Sequence, residues 1–130
     1  MTKKKPNIKL ESYGRYSKWE RGLRQLPRIL EFTNRIEARE GNEFGLILKI
    51  EGGKGMKLNF VIKHPPFKDK RGKIEPDFTG EYHVNSNRYE FYIGDCIWDP
   101  IEDKIGVWQI IVFHERKQIA DQRFEIVPPK

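Results

Sequence analysis

The sequence contains a single cysteine, Cys96, among its 130 residues, so no disulfide bond can form within the chain. It has no uninterrupted apolar stretch approaching the roughly 18 residues that a membrane-spanning helix requires. The basic start of the chain is followed by polar residues and not by the apolar segment of a secretory signal peptide. These three absences predict a cytoplasmic protein that has no contact with a membrane.

The arrangements that carry catalysis or bind metals are missing as well. The three histidines (residues 64, 83 and 114) are far apart, and Cys96 has no neighbouring cysteine with which to share a transition metal. The acidic residues between 95 and 103 lack the alternating oxygen ligands of a calcium loop. No nucleophile elbow and no phosphate-cradling glycine loop is present. We therefore expect no enzymatic activity, no metal site and no cofactor.

Aromatic and charged residues, by contrast, are abundant. Charged residues make up 34% of the chain, against about 25% in an ordinary protein. Eight Phe, five Tyr and three Trp must then supply much of the apolar area that folding buries. A chain of this length forms a single domain, and a two-layer fold with a thin core suits this composition.

Short segments of alternating apolar and polar residues recur along the chain, with turn residues between them. They predict eight strands, near residues 8–12, 29–35, 44–50, 56–63, 78–84, 88–93, 107–114 and 119–127. The absence of long helices favours antiparallel connections. We predict an all-β, immunoglobulin-like antiparallel β-sandwich of seven to eight strands, with a closed barrel as the open alternative. Residues 1–7 are expected to be a basic, flexible tail before a single domain at residues 8–130.

Residues 17–28 interrupt the alternating pattern. Ser17 and Glu20 have the spacing of a helix capping box, but Gly22 disfavours a helix and Pro27 ends it. We expect one helical turn or an ordered loop in this segment.

An ordered set of short motifs runs through the chain from residue 33 onward. The motifs are TNRIEAREGNEFG at 33–45, HPPF at 64–67, YEF at 89–91, GVWQIIV at 106–112, IA at 119–120 and FEIV at 124–127. Together they resemble a bacterial family of domains of unknown function, number 3859. The resemblance implies an immunoglobulin-like sandwich and a bacterial source, but no activity and no catalytic residues. The chain departs from the family pattern at Glu37, where that pattern has proline, and residues 17–28 look like a variable insertion.

The net charge of +6 is concentrated near the N-terminus. Residues 1–28 contain nine basic and two acidic side chains, a net of +7, whereas the remaining residues carry 16 basic and 17 acidic side chains, a net of −1. Tyr13, Tyr16 and Trp19 lie among these basic residues, as a base-stacking surface would require. This N-terminal quarter therefore predicts an alternative function, the binding of nucleic acid or of an acidic surface.

Two residues at the ends of predicted strands are candidates for a binding site. His64 follows a strand and precedes two prolines, which hold its ring in place, although capping of the strand end by hydrogen bonding is the favoured role. Trp98 lies in a polar loop, where an indole either anchors a partner or plugs the open end of the sandwich, and the plug is favoured.

Basic side chains provide the remaining candidates. Arg35 and Arg39 lie in the family-like segment at 33–45, although arginines at a strand end most often pack their stems and keep their charges solvated. Lys68, Lys70 and Arg71 lie in the polar loop after His64. The favoured function is a non-catalytic protein-interaction or adaptor module that binds an unidentified protein partner through loops or a strand edge.

Overall fold

The computed structural model describes residues 5–20 and 25–130 of the chain. Within those ranges none of the helices is long and apolar enough to cross a membrane. The described residues form nine strands and one short 3₁₀ turn at Glu102–Lys104. The strands are β1 (Asn7–Tyr16), β2 (Ile29–Glu31), β3 (Arg35–Glu37), β4 (Glu43–Glu51), β5 (Lys57–Lys63), β6 (Phe78–His83), β7 (Arg88–Cys96), β8 (Gly106–His114) and β9 (Lys117–Val127).

The strands form two packed sheets. Sheet A has the order β2-β1-β4-β7, and sheet B has the order β3-β9-β8-β5-β6. Every pairing is antiparallel except that of β3 with β9, which is parallel. The predicted all-β sandwich is confirmed, with nine strands in the described part of the chain instead of eight.

The single strand predicted for residues 29–35 is wrong. The segment divides into β2, which pairs with β1 in sheet A, and β3, which pairs with β9 in sheet B. Between them the chain crosses from one sheet to the other, and the Thr33 hydroxyl accepts a hydrogen bond from the Arg35 amide at 3.0 Å. Leu30 and Phe32, which the pattern placed on one face of a strand, are 49% and 71% exposed because this crossing runs outside the core.

The core lies between the inner faces of the two sheets. Sheet A contributes alternating residues such as Phe44, Leu46 and Leu48, all fully buried, since alternate side chains of a strand point to one face. Sheet B contributes Trp108 and Phe124, whose rings each lie 5.3 Å from that of Phe44 in edge-to-face geometry. As the composition predicts, aromatic rings fill the centre of a thin sandwich.

Residues 17–20 and 25–28 form a loop that covers part of the outer face of sheet A. Trp19 and Leu26 from this loop pack on a buried cluster of Tyr16, Ile47 and Tyr92. The described residues of the loop are not helical, and the helical turn considered for this segment would fall largely on residues 21–24, outside the described residues. The loop thereby brings an indole to the edge of sheet A.

Candidate functional site at the two openings of the sandwich

The sandwich is open on two sides, and each opening holds a cavity with a distinct charge. The first, here called the acidic groove, has a volume of about 480 Å³ and lies where the edge strands β6 and β7 face each other. Its chemically distinctive lining residues are Trp19, Glu43, Tyr82, Asp95, Cys96 and Trp98. The second, here called the basic cleft, has a volume of about 720 Å³ and lies beside β3 at the opposite side. Its charged residues are Arg15, Glu31, Arg35, Glu37, Arg39 and Lys130.

A buried carboxyl group, Glu43, forms the polar end of the acidic groove. Glu43 begins β4, is only 6% exposed, and its Oε2 atom makes a very short hydrogen bond with the Tyr92 hydroxyl of β7. The same hydroxyl lies 2.9 Å from the Phe44 carbonyl oxygen. The Tyr92 hydroxyl thus donates to Glu43 and also lies within hydrogen-bonding distance of the backbone of β4, which holds the carboxyl group in place between the two strands.

Burial governs the ionisation of this pair. Burial raises the pKa of Glu43 from 4.5 to about 7, the hydrogen bond from Tyr92 opposes that rise, and the negative charge of Asp95 adds to it. Burial also holds the pKa of Tyr92 well above 10, and the neighbouring Glu43 raises it further. Glu43 therefore changes its charge near neutral pH.

Two glycines that face each other across β4 and β7 make room for the Tyr92 ring. A methyl group added to Gly94 would lie 2.1 Å from the Tyr92 hydroxyl oxygen, and one added to Gly45 would lie 2.8 Å from the ring. Gly45 pairs directly with Gly94 in the sheet register. The glycines thus allow the tyrosine to lie across the sheet and reach the start of β4.

The thiol of Cys96 lies in the same groove but is not activated. Burial raises its pKa, and the charges of Asp95 and Glu43 raise it further. A nucleophilic cysteine needs the opposite environment, one that favours the thiolate. Cys96 therefore lacks the surroundings that activate a thiol.

Trp98 packs at the open end of the sandwich while it also lines the acidic groove. Its ring lies 5.4 Å from Phe67 and 6.2 Å from Trp108. The ammonium group of Lys104, a residue only 1% exposed, lies 4.5 Å from the Trp98 ring centre and 4.6 Å from that of Phe67. The same ammonium donates to the Pro100 carbonyl at 3.0 Å and to Asp103 at 2.5 Å. This buried cation fixes the orientation of Trp98.

His64 belongs to the same aromatic cluster. Its ring stacks on Phe67 at 4.3 Å, and its two nitrogens lie 2.7 Å and 2.8 Å from the carbonyl oxygens of Pro65 and Pro76. Because both nitrogens contact backbone carbonyls, the ring ties together the two ends of the loop between β5 and β6. This places His64 in a structural position.

Lys68, Lys70 and Arg71 lie together at the exposed tip of the same loop. Asp69 orders this tip by accepting hydrogen bonds from the amides of Arg71 and Lys73, at 2.8 Å and 3.0 Å. The structure therefore brings His64, Trp98 and the three basic residues to one end of the sandwich. Arg35 is separate from them and lies in the basic cleft.

The two tyrosines of the basic N-terminal quarter are packed into the fold, and Trp19 lies against sheet A. Tyr16 is 2% exposed, Tyr13 packs against the core, and the Trp19 ring lies 5.2 Å from that of Tyr92. The tyrosines are therefore not available as a stacking surface for bases. Nucleic-acid binding by this quarter stays a prediction from charge alone, and Lys3, Lys4, Arg21 and Arg24 lie outside the described residues.

The residues that dominate the acidic groove escaped sequence reasoning. Glu43 follows a turn and has the pattern of a solvated strand end, and Tyr92 occupies a position that alternates with core residues. The one available signal was the pair of glycines at 45 and 94, since glycine inside a strand often marks a close approach. Residues 5–20 and 25–130 contain no group of three or more His, Cys, Asp or Glu side chains able to hold a metal ion.

Comparisons with known proteins agree with this architecture. The sequence profile of the domain of unknown function DUF3859 matches residues 4–126, which confirms the resemblance inferred from the motifs. An immunoglobulin-like protein from Pseudomonas aeruginosa superimposes with a TM-score of 0.75 at 17% identity, and the match covers 93% of this chain and 97% of that chain. That likeness confirms the immunoglobulin-like fold. No curated protein matches the sequence.

Proposed function

Since the chain belongs to the DUF3859 family, whose description assigns no activity, we propose its function from the geometry of the chain. We propose that it is a non-catalytic protein-interaction module. It binds an extended peptide segment of its partner along the edge of β7. The observation that carries this proposal is the position of a nine-residue edge strand, β7, directly beside the acidic groove.

The backbone of β7 offers hydrogen-bonding groups to an added strand. The Tyr92 carbonyl accepts a hydrogen bond from the Tyr82 hydroxyl of β6 at 3.1 Å, so this carbonyl points away from β4. Since the N–H and C=O of alternate residues in an antiparallel strand share one direction, those of Glu90 and Gly94 also point away from β4. Across the ranges that the structure describes, β7 pairs with β4 alone. Such an edge recruits an extended peptide by main-chain hydrogen bonds.

The acidic groove supplies side-chain selectivity beside this edge. Every second side chain of an added strand would face the same side, and the end of β7, from Gly94 to Cys96, lines the groove. There the peptide meets the carboxyl groups of Glu43 and Asp95 between the indoles of Trp19 and Trp98. A lysine or arginine side chain matches this combination of negative charge and aromatic faces.

The experiment begins with selection from a library of linear random peptides displayed on phage, and the recovered peptide is then titrated by fluorescence anisotropy. We expect enrichment of extended, β-branched sequences that carry Lys or Arg. Two variants at one position isolate the edge: Glu90→Pro removes the outward N–H together with the carboxylate, whereas Glu90→Ala removes the carboxylate alone. Proline should weaken binding about tenfold relative to alanine, since it deletes a main-chain hydrogen bond and obstructs the edge.

Thermal unfolding of both variants controls for loss of folding. Failure to enrich any peptide, or equal affinity of folded Glu90→Pro and Glu90→Ala, would contradict binding along β7.

A further inference from the structure

The basic cleft gathers three arginine side chains at the opening opposite the acidic groove. Arg15 comes from β1, Arg35 from β3, and Arg39 from the segment between β3 and β4. Together with Lys130, Glu31 and Glu37 they give the cleft four basic and two acidic side chains, a net charge of +2.

The ion pairs in the cleft use only part of its hydrogen-bonding capacity. Arg15 contacts Glu31 through its Nε atom at 3.2 Å, and Arg39 contacts Glu37 through its Nε atom at 3.2 Å. Arg39 also donates through Nη2 to the Lys130 carbonyl oxygen at 2.7 Å. Within residues 5–20 and 25–130, no hydrogen bond or ion pair engages the guanidinium group of Arg35. Its donors, and the Nη atoms of Arg15, are therefore available to a ligand.

The backbone beneath these side chains is held firmly. The Thr33 hydroxyl accepts from the Arg35 amide at 3.0 Å and lies 3.3 Å from the Arg35 carbonyl oxygen. The next residue, Ile36, is 1% exposed and anchors β3 in the core. Glu37 is fixed by the Lys130 amide at 3.0 Å and by Arg39, and these hydrogen bonds, the backbone one foremost, lower the pKa of Glu37. The backbone that carries Arg35 is therefore already ordered before a ligand binds, and only the Arg35 side chain has to be fixed.

We propose that the basic cleft binds a phosphate monoester or free phosphate group, with Arg35 as its principal ligand-binding residue. Guanidinium groups present paired N–H donors that match the oxygens of phosphate. A phosphate monoester carries a charge of about −1.5 to −2 at neutral pH, which offsets the net charge of the cleft. Phosphate also presents three strong acceptor oxygens to these donors, whereas a carboxylate presents two.

The test is a titration of the ¹⁵N-labelled full chain with inorganic phosphate at constant ionic strength, followed by NMR. The signals to observe are the arginine side-chain Nε–H groups and the backbone amides of Thr33 and Arg35. We expect saturable shifts confined to the basic cleft, and no saturable shift with acetate at the same ionic strength. A parallel titration with O-phosphoserine distinguishes the source: tighter binding of phosphoserine identifies a phosphorylated side chain, and tighter binding of inorganic phosphate identifies the free ion.

Three variants make the test specific. Arg35→Gln should weaken phosphate binding at least about tenfold. Arg35→Lys keeps the charge but loses the planar pair of donors, so its affinity for phosphate should lie between the affinities of Arg35→Gln and the native chain. Arg123→Gln is the matched control, since Arg123 is an exposed arginine of β9 outside the cleft, and it should bind like the native chain. Equal affinity of Arg35→Gln and the native chain, acetate binding as tight as phosphate binding, or shifts that follow ionic strength without saturating would each overturn the proposal. None of these outcomes bears on peptide binding at β7.

Discussion

The two openings of the sandwich differ in how far their ionisable side chains are buried. In the acidic groove, Glu43 is buried against Tyr92, and burial moves its pKa to about 7. In the basic cleft, the ion pairs Arg15–Glu31 and Arg39–Glu37 are partly exposed, with Arg39 51% exposed at its side chain. Charged side chains are therefore part of the packed structure at the acidic groove, whereas at the basic cleft they stay accessible to ligands. The difference lies in how far each group is removed from water.

The largest effect is expected from Gly94→Ala, which breaks the packing that the acidic groove depends on. The added methyl would lie 2.1 Å from the Tyr92 hydroxyl oxygen and 2.2 Å from the Phe44 carbonyl oxygen, so the ring and the backbone must both move. We expect the free energy of unfolding to fall by about 3 kcal/mol, measured by urea denaturation. Thr79→Ala on the facing edge of β6, an exposed position, is the control and should change it by less than about 0.5 kcal/mol. A loss below about 1 kcal/mol for Gly94→Ala would refute this tight packing.

The next effect is the pH dependence of stability at the two openings. Because the pKa of Glu43 is higher in the folded chain, the folded state keeps a proton between pH 4.5 and about 7 that the unfolded state has released. The stabilisation is fully present below pH 4.5 and is lost as the pH rises through about 7, a change of roughly 3 kcal/mol. The difference between native and Glu43→Gln unfolding curves, measured in urea across this range, isolates the carboxyl group.

The stability contributed by Glu37 of the basic cleft should depend on pH in the opposite direction. Its pKa is lower in the folded chain, so its stabilisation is present above the unfolded pKa and is lost as the pH falls through the folded pKa. The Glu37→Gln difference curve should therefore slope in the direction opposite to that of Glu43→Gln. Two curves of the same slope would show that the openings do not differ in the way their geometry predicts.

The smallest effect is expected from Arg15→Gln, which breaks an ion pair of the basic cleft. Its side chain is 35% exposed and that of Glu31 is 59% exposed, so water screens the pair. We expect a loss of no more than about 1 kcal/mol, declining further in high salt. Thermal unfolding of Arg15→Gln, Glu31→Gln and the double variant gives the coupling energy directly. A coupling above about 2 kcal/mol would mean that the pair behaves as a buried one.

The sequence predicted the central strands because their local pattern matches their environment. In β5, for example, Leu58, Phe60 and Ile62 are buried while Lys57 and Asn59 are exposed, as strict alternation requires. The prediction of β2 and β3 failed because no local sequence pattern indicates that the chain changes from one sheet to the other. Residues 29–35 alternate as one strand would, yet Arg35 pairs with Glu125, which is distant in the chain.

The candidate sites were harder to predict than the strands. Arg35 was identified from its place in a family-like segment, but its neighbours Arg15 and Lys130 are far from it in the sequence. Glu43 was missed because its burial depends on Tyr92, which lies 49 residues away. Local patterns describe which face of a strand is apolar, whereas charged clefts depend on which distant strands meet.

The parallel pairing of β3 with β9 has a consequence for how the molecule is made. Ile36, in an early strand, finds its partner Ile126 only when the last strand has been synthesised. Until then the growing chain on the ribosome can assemble sheet A up to β7, but β9, the strand that pairs with β3 and supports Arg35, is missing. The acidic groove can therefore begin to form during translation, whereas the basic cleft is completed only after β9 and Lys130 have left the ribosome.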